Sequence, residues 1–108
     1  MAQNFRRYTS NAVGASPAAV YTANSYDAIV GISLSNILST AITVDCYIND
    51  GSNNIYLVKD APIPTGGSLQ VLDGGAKFVV QALDVLSVKS SDAASVDVWV
   101  SAVDAIST

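Results

Sequence analysis

Between Ile55 and Ser90 the chain alternates short apolar runs with stops made of Pro, Gly or Asp. The segments IYLVKD, APIPTGG, SLQVLD, GG, AKFVV, QALD and VLSVKSS follow one another with almost nothing spare. Short runs punctuated in this way predict the strands of an antiparallel sandwich or barrel. Over the whole chain the same pattern predicts strands near 18–23, 27–34, 41–49, 54–59, 68–72, 76–81, 85–90 and 95–103. The period of two is plainest in the last of these. Val96, Val98, Val100 and Ala102 share one side, and Asp97, Trp99 and Ser101 share the other. The valine row is the natural core face, which leaves Trp99, the sole tryptophan, on the outer face of its sheet. Helical periodicity is weak. NILSTAIT allows a turn of helix after Ser35, but Thr40, Ile42, Thr43 and Val44 favour strand.

Turn chemistry separates the strands. Asn49-Asp50-Gly51-Ser52 and Asp73-Gly74-Gly75 read as hairpin turns, because Gly and Asx accept the positive φ that tight turns require. Pro62 and Pro64 cannot donate to a ladder, so APIPTGG reads as a rim connection. Residues 1–16 read as an N-terminal arm on which Phe5 and Tyr8 are apolar anchors, and residues 17–108 as a single domain. The expected fold is therefore an all-β antiparallel sandwich of about eight strands, jelly-roll-like or Ig-like, with an extended N-terminal arm.

Composition narrows the function. Only 13% of the residues are charged, about half the roughly 25% of an average soluble domain. A surface so thinly charged is either rich in Ser, Thr, Asn and Gln or partly covered by other subunits. The charge is also uneven. Arg6 and Arg7 stand together near the start, and the other charges are three lysines against nine aspartates. An acidic body repels phosphate, and two arginines release few counterions, so nucleic-acid binding is not expected. The sole cysteine, Cys46, alternates with apolar neighbours in AITVDCYIN and reads as a small buried hydrophobe. No intrachain disulfide can form, and no apolar run approaches the roughly 18–20 residues that span a bilayer.

Reaction chemistry is sparse. There is no histidine, which removes the commonest general base and most zinc and copper sites, and no glutamate. Asp27, Asp45, Asp50, Asp60, Asp73, Asp84, Asp92 and Asp97 sit beside turns or alternate outward, as solvated faces and Asx turns would place them. The loop at residues 49–54 lacks the alternating ligands and terminal Glu of an EF-hand. Gly66-Gly67 and Gly74-Gly75 open no helix and precede no Lys-Ser/Thr, so they read as turns rather than phosphate cradles. No enzyme, no cofactor and no metal site is expected. The residues expected to carry contacts with partners are the arm's Phe5, Arg6, Arg7 and Tyr8, then Trp99 as an aromatic anchor, with Pro62 and Pro64 shaping a rim loop.

FRRYTSNAVG at the start, the Val-Tyr-Thr strand at 20–22, ITVDCYINDG at 42–51, YLVKDAPIPTGGSLQVLDGG at 56–75 and DVLSVKSS at 84–91 resemble small virion structural proteins of tailed bacteriophages. Those of marine cyanophage-like viruses come nearest, and Leu83 in QALDVL stands where that pattern has Gly. The resemblance implies a non-enzymatic virion protein, assembled in a bacterial host's cytoplasm and used repeatedly in the particle. It further suggests a capsid decoration (cement) protein that bridges capsid subunits, with the major capsid protein as partner and a homo-oligomer, a trimer by preference. A head-tail connector, neck or fibre-base part is the alternative, and a carbohydrate-binding module stands behind both.

Overall fold

The computed structural model describes residues 4–72 and 77–104. Its strands are β1 (Asn4–Val13), β2 (Ala18–Thr22), β3 (Asp27–Asn36), β4 (Ile42–Asn49), β5 (Asn54–Ile63), β6 (Ser68–Leu72), β7 (Phe78–Val80), β8 (Val85–Ser90) and β9 (Val96–Asp104). Their antiparallel pairings nest. The β4–β5 hairpin is innermost, and β3–β6, β2–β8 and β1–β9 follow outward. The nested ribbon rolls into one sheet ordered β1-β9-β3-β6, with β7 also on β3, and a second ordered β2-β8-β4-β5. That winding is a jelly roll, so of the two sandwiches expected the chain builds this one rather than the Ig-like order.

The core lies between the sheets. Ile29, Ile32 and Leu34 of β3 and the predicted row Val96, Val98, Val100 and Ala102 of β9 supply one side. Ile42, Val44 and Cys46 of β4, Leu86 and Val88 of β8, and Ile63 of β5 supply the other. Each such Val, Leu or Ile contributes about 1.5–3 kcal/mol through burial. The spacing from Ile29 to Ile32 breaks the period of two because the β3–β9 register shifts between Ile29 and Gly31, and such an irregularity resets which side chains face inward. Cys46 is fully buried, and burial pushes its thiol up to about 12.

Several expectations need correction. The segment set apart as an arm is β1, and it pairs with β9 of the same chain from Asn4 opposite Asp104 to Val13 opposite Val96. Tyr8 and Val13 face the core from it. Pro62 lies inside β5 opposite Thr43 rather than in a loop. It is tolerated because β5 is the edge of its sheet and one side of that strand needs no donor. The strand preference of Ile42, Thr43 and Val44 holds in β4, and among the described residues the strand placed at 76–81 spans Phe78–Val80. The Asp73-Gly74-Gly75 turn lies outside the described residues. The Asp50 turn holds: Asp50 Oδ1 accepts from Ser52 N at 3.0 Å and Asn53 N at 2.9 Å, and Gly51 has φ 98°. These backbone donors hold the Asp50 carboxyl below its usual range.

Asp27 is the largest departure. Expected on a solvated face, it is instead 0% exposed. Its carboxylate accepts from Tyr21 Oη and, at 2.9 Å, from Ser25 Oγ. The Tyr21 ring lies 4.2 Å from that of Tyr8, whose hydroxyl donates to Asp104 Oδ2 at 2.9 Å. Arg6 Nε approaches the same oxygen at 3.0 Å. Arg6, Asp104, Tyr8, Tyr21 and Asp27 thus form one polar chain that laces β1, β9 and β3 to β2 of the facing sheet. Among the described residues no buried side-chain nitrogen or oxygen lacks a hydrogen-bond partner, as a stable interior requires.

Partial burial, then the Asp104 carboxylate, push the Tyr8 phenol up to about 12, and deeper burial with Asp27 raises Tyr21 further. In the unfolded chain both phenols titrate near ~10. The folded state therefore holds protons that the unfolded state releases. The stability involved is complete below about pH 10 and is lost as pH rises through the folded values. Thermal melts should show Tm falling steeply above about pH 10, and Tyr21→Phe should flatten that fall. At neutral pH Tyr21→Phe should also cost about 1–3 kcal/mol, because Asp27 loses a buried donor. A wild-type Tm unchanged up to about pH 11.5 would rule out the linkage.

Candidate assembly surface

Antiparallel register sets which side chains meet across the outer face of the β1-β9-β3-β6 sheet. At one end Phe5 stands opposite Val103, Val103 opposite Ala28, and Ala28 opposite Val79. Directly opposed residues share a face, so these four form an apolar row across β1, β9, β3 and β7. Its middle is buried, whereas its ends are open: Phe5 is 83% and Val79 62% exposed. Tyr26, also exposed, directly precedes Asp27 at the same end of β3.

Leu83 joins this end through the turn between β7 and β8. Its N–H donates to Ala23 O at 2.7 Å, and the turn is closed by Asp84 N on Gln81 O at 3.0 Å and Gln81 N on Asp84 Oδ2 at 2.9 Å. The backbone of Leu83 is left-handed, with φ 76°, and its side chain is 78% exposed. A branched apolar residue is disfavoured on both counts, since Gly would relieve the strain and a polar residue would suit the solvent. The position expected to hold Gly keeps the conformation that Gly serves and presents leucine on it.

The residues expected to carry contacts divide into three groups. Phe5, Arg7 and Trp99 lie on the outer face of the same sheet, and the Arg7 guanidinium sits 5.6 Å from the centre of the Trp99 ring. Arg6 and Tyr8 instead turn to Asp104 and hold β1 in place. Pro62 belongs to the edge of the other sheet, and Pro64 lies just beyond it in the connection to β6, where its O accepts from Gly67 N at 2.9 Å. Val79, Tyr26 and Asp104 were not legible as site residues. Leu83 was legible only as a leucine in place of a turn glycine, not as a contact residue.

Little in the geometry can run a reaction. Among the described residues no three His, Cys, Asp or Glu side chains come together as metal ligands. Asp45 and Asp60 are neighbours on the second sheet, but Asp45 Oδ1 is engaged by Asp60 N at 2.8 Å, and Lys59 Nζ lies 3.9 Å from Asp45 Oδ2. No helix among the described residues is long and apolar enough to cross a membrane.

No family model matches this sequence, and no curated protein does. Solved structures do. One is a chain in the acidic stable capsid structure of the Helicobacter pylori bacteriophage KHP30, with TM-score 0.60 at 9% identity, covering 95% of this chain and 87% of that one. Another comes from Bacillus endospore appendages, which form disulfide-linked pili, with TM-score 0.54 at 22% identity, covering 94% of this chain and 84% of that one. At such identities the likeness is one of fold, and it runs through nearly the full length of each chain.

Proposed function

We propose that this chain is a non-enzymatic structural subunit of a tailed-phage particle, used in many copies as a decoration protein on the outside of the capsid. The observation that carries the proposal is the end-to-end likeness to a chain of comparable length in a phage capsid structure. The apolar end of the first sheet supports it with a contact surface. Phe5, Val79 and Leu83 would seat against the major capsid protein and bridge neighbouring subunits. The acidic body suits the outside of a shell better than the side facing packaged DNA. Many copies would let modest contacts hold together through avidity, and closed symmetry, a trimer by preference, would suit a bridging part. A disulfide-linked assembly has no support here, because the only cysteine is buried with its thiol pushed up to about 12.

The direct test is copy number by quantitative mass spectrometry of purified particles. Decoration requires a simple ratio to the major capsid protein. A single small ring per particle would move the chain to the neck or tail, and absence from particles would end the virion reading.

Leu83 gives a sharper test, because stability and assembly should move in opposite directions. Relieving a left-handed leucine gains roughly 1–2 kcal/mol, and the entropy of a glycine takes back about 0.5–1. Leu83→Gly should therefore raise unfolding stability by up to about 1.5 kcal/mol while weakening attachment to stripped particles. Phe5→Ala should weaken attachment as well, with a stability change within about 0.5 kcal/mol. If both variants attach as the wild type does, this end of the sheet is not the contact surface.

A further inference from the structure

The outer face of the same sheet changes character away from Phe5. Thr9 stands opposite Trp99, Trp99 opposite Ser33, and Ser33 opposite Gln70, so one row crosses four strands with a single large side chain in it. In β3 the outward positions Gly31, Ser33 and Ser35 are all small. A central strand facing solvent is stabilised by β-branched or aromatic residues there, and Gly and Ser supply neither packing nor propensity. Small side chains beside Trp99 leave a cleft of about 380 Å³ over Asp97, walled by Thr9 and Asn11 on one side and by Ser33 and Ser35 on the other. That volume falls in the range of small-ligand pockets, roughly 300–1,000 Å³.

We infer that this cleft binds a neutral oligosaccharide, with one pyranose ring against the Trp99 indole and its hydroxyls on the cleft floor. The site is separate from the proposed capsid contact and does not rest on it. Trp99 is 52% exposed although it lies mid-strand, and Arg7, which comes from the register position beyond it, braces its ring. The floor is set for hydroxyl partners. Asp97 Oδ1 is fixed by Ala12 N at 2.8 Å and Asn11 Nδ2 at 3.0 Å, and the bonds to Oδ1 leave Oδ2 to accept. Ser33 Oγ already accepts from Gln70 Nε2 at 3.0 Å, so its proton is available to donate. Asp97 in the floor disfavours an anionic group placed directly over it, and Arg7 stands at the ring rather than in the floor. A protein partner fits less well, because the centre of a protein interface is apolar and this cleft offers one indole among hydroxyls.

The single tryptophan makes its own probe. The full-length chain would be titrated with chitohexaose, cellohexaose, maltohexaose and mannohexaose while Trp99 fluorescence is followed. Saturable binding of at least one, with a dissociation constant on the order of 0.1–1 mM, is expected for so open a site. Isothermal calorimetry would compare the variants. Trp99→Ala should weaken binding at least about tenfold, Asp97→Asn should weaken it by about threefold or more, and Tyr56→Ala, an exposed aromatic on the other sheet, should leave it unchanged. Circular dichroism would check that each variant is folded. No saturable change with any of the four sugars up to about 10 mM overturns the inference. Equal loss in Tyr56→Ala and Trp99→Ala does so too. So does self-association that Trp99→Ala abolishes, which would make the cleft a contact between copies.

Discussion

The molecule depends on β9 having a strand on each side. β9 carries the valine row that fills the core from the first sheet, and it is paired along its length with β3 on one flank and β1 on the other. Without β1, the backbone of a largely buried strand would present unpaired donors and acceptors at an open edge. The nested winding makes this closure the outermost rung, joining the start of the described chain to its end. The polar chain from Arg6 through Asp104, Tyr8 and Tyr21 to Asp27 lies at that closure and ties it to the facing sheet. Its members are costly to bury singly, and they are tolerated because each has a partner. The network therefore favours this register of β1 over slipped ones.

A two-sheet roll still has edges, and this chain treats them differently. The β5 edge carries Pro62, two irregularities against β4 and a left-handed Asp60, all of which spoil it as a template for another strand. β2 follows Pro17 and breaks register between Ala19 and Tyr21. β1 has neither proline nor bulge between Asn4 and Ser10. Its protection is the pair of guanidiniums at Arg6 and Arg7, which would repel a second copy of β1 set antiparallel against it. Protection by charge is selective in a way that protection by proline is not. It discourages like strands and leaves room for an acidic partner.

How much of this was legible follows from what each strand shows its two faces. β4, β8 and β9 could be read because most of their inward positions are Val, Ile, Leu or Cys, alternating with residues such as Thr43, Asp45, Lys89, Asp97 and Ser101. β1 read as an arm rather than as part of the domain because its core-facing side chains include Tyr8, whose hydroxyl donates to Asp104, 96 residues away in the chain. No local pattern reports such a partner. Asp27 was misread for the same reason, since a carboxylate beside a turn looks solvated until Tyr21 is folded over it. Pro62 misled because proline marks the end of most strands, and only an edge strand excuses it. On the candidate surface, Phe5 and Trp99 were visible as aromatics outside the core pattern, whereas Val79 became part of the site only through pairing with Ala28.

The places where local preference loses are the most informative about function. Leu83 is strained and exposed, and the outward residues of β3 are too small for a good solvent-facing strand. Neither choice helps this chain fold: one lies in the turn that follows β7 and the other on the outer face of the sheet that β7 joins. On the second sheet the departures gather on the β5 edge, and its outer aromatics Tyr47 and Tyr56 pack against each other at 5.0 Å, with Lys59 4.7 Å above Tyr56. Sequences specify structure most securely when every level agrees, and departures concentrate where a protein meets something else. By that measure the outer face of the first sheet is the surface on which both proposals rest. Its apolar end suits a protein surface, and its hydroxyl-rich end, with Trp99, suits a sugar. Two chemistries on one rigid sheet can act at once without any moving part, because a ligand at one end need not disturb the contact at the other.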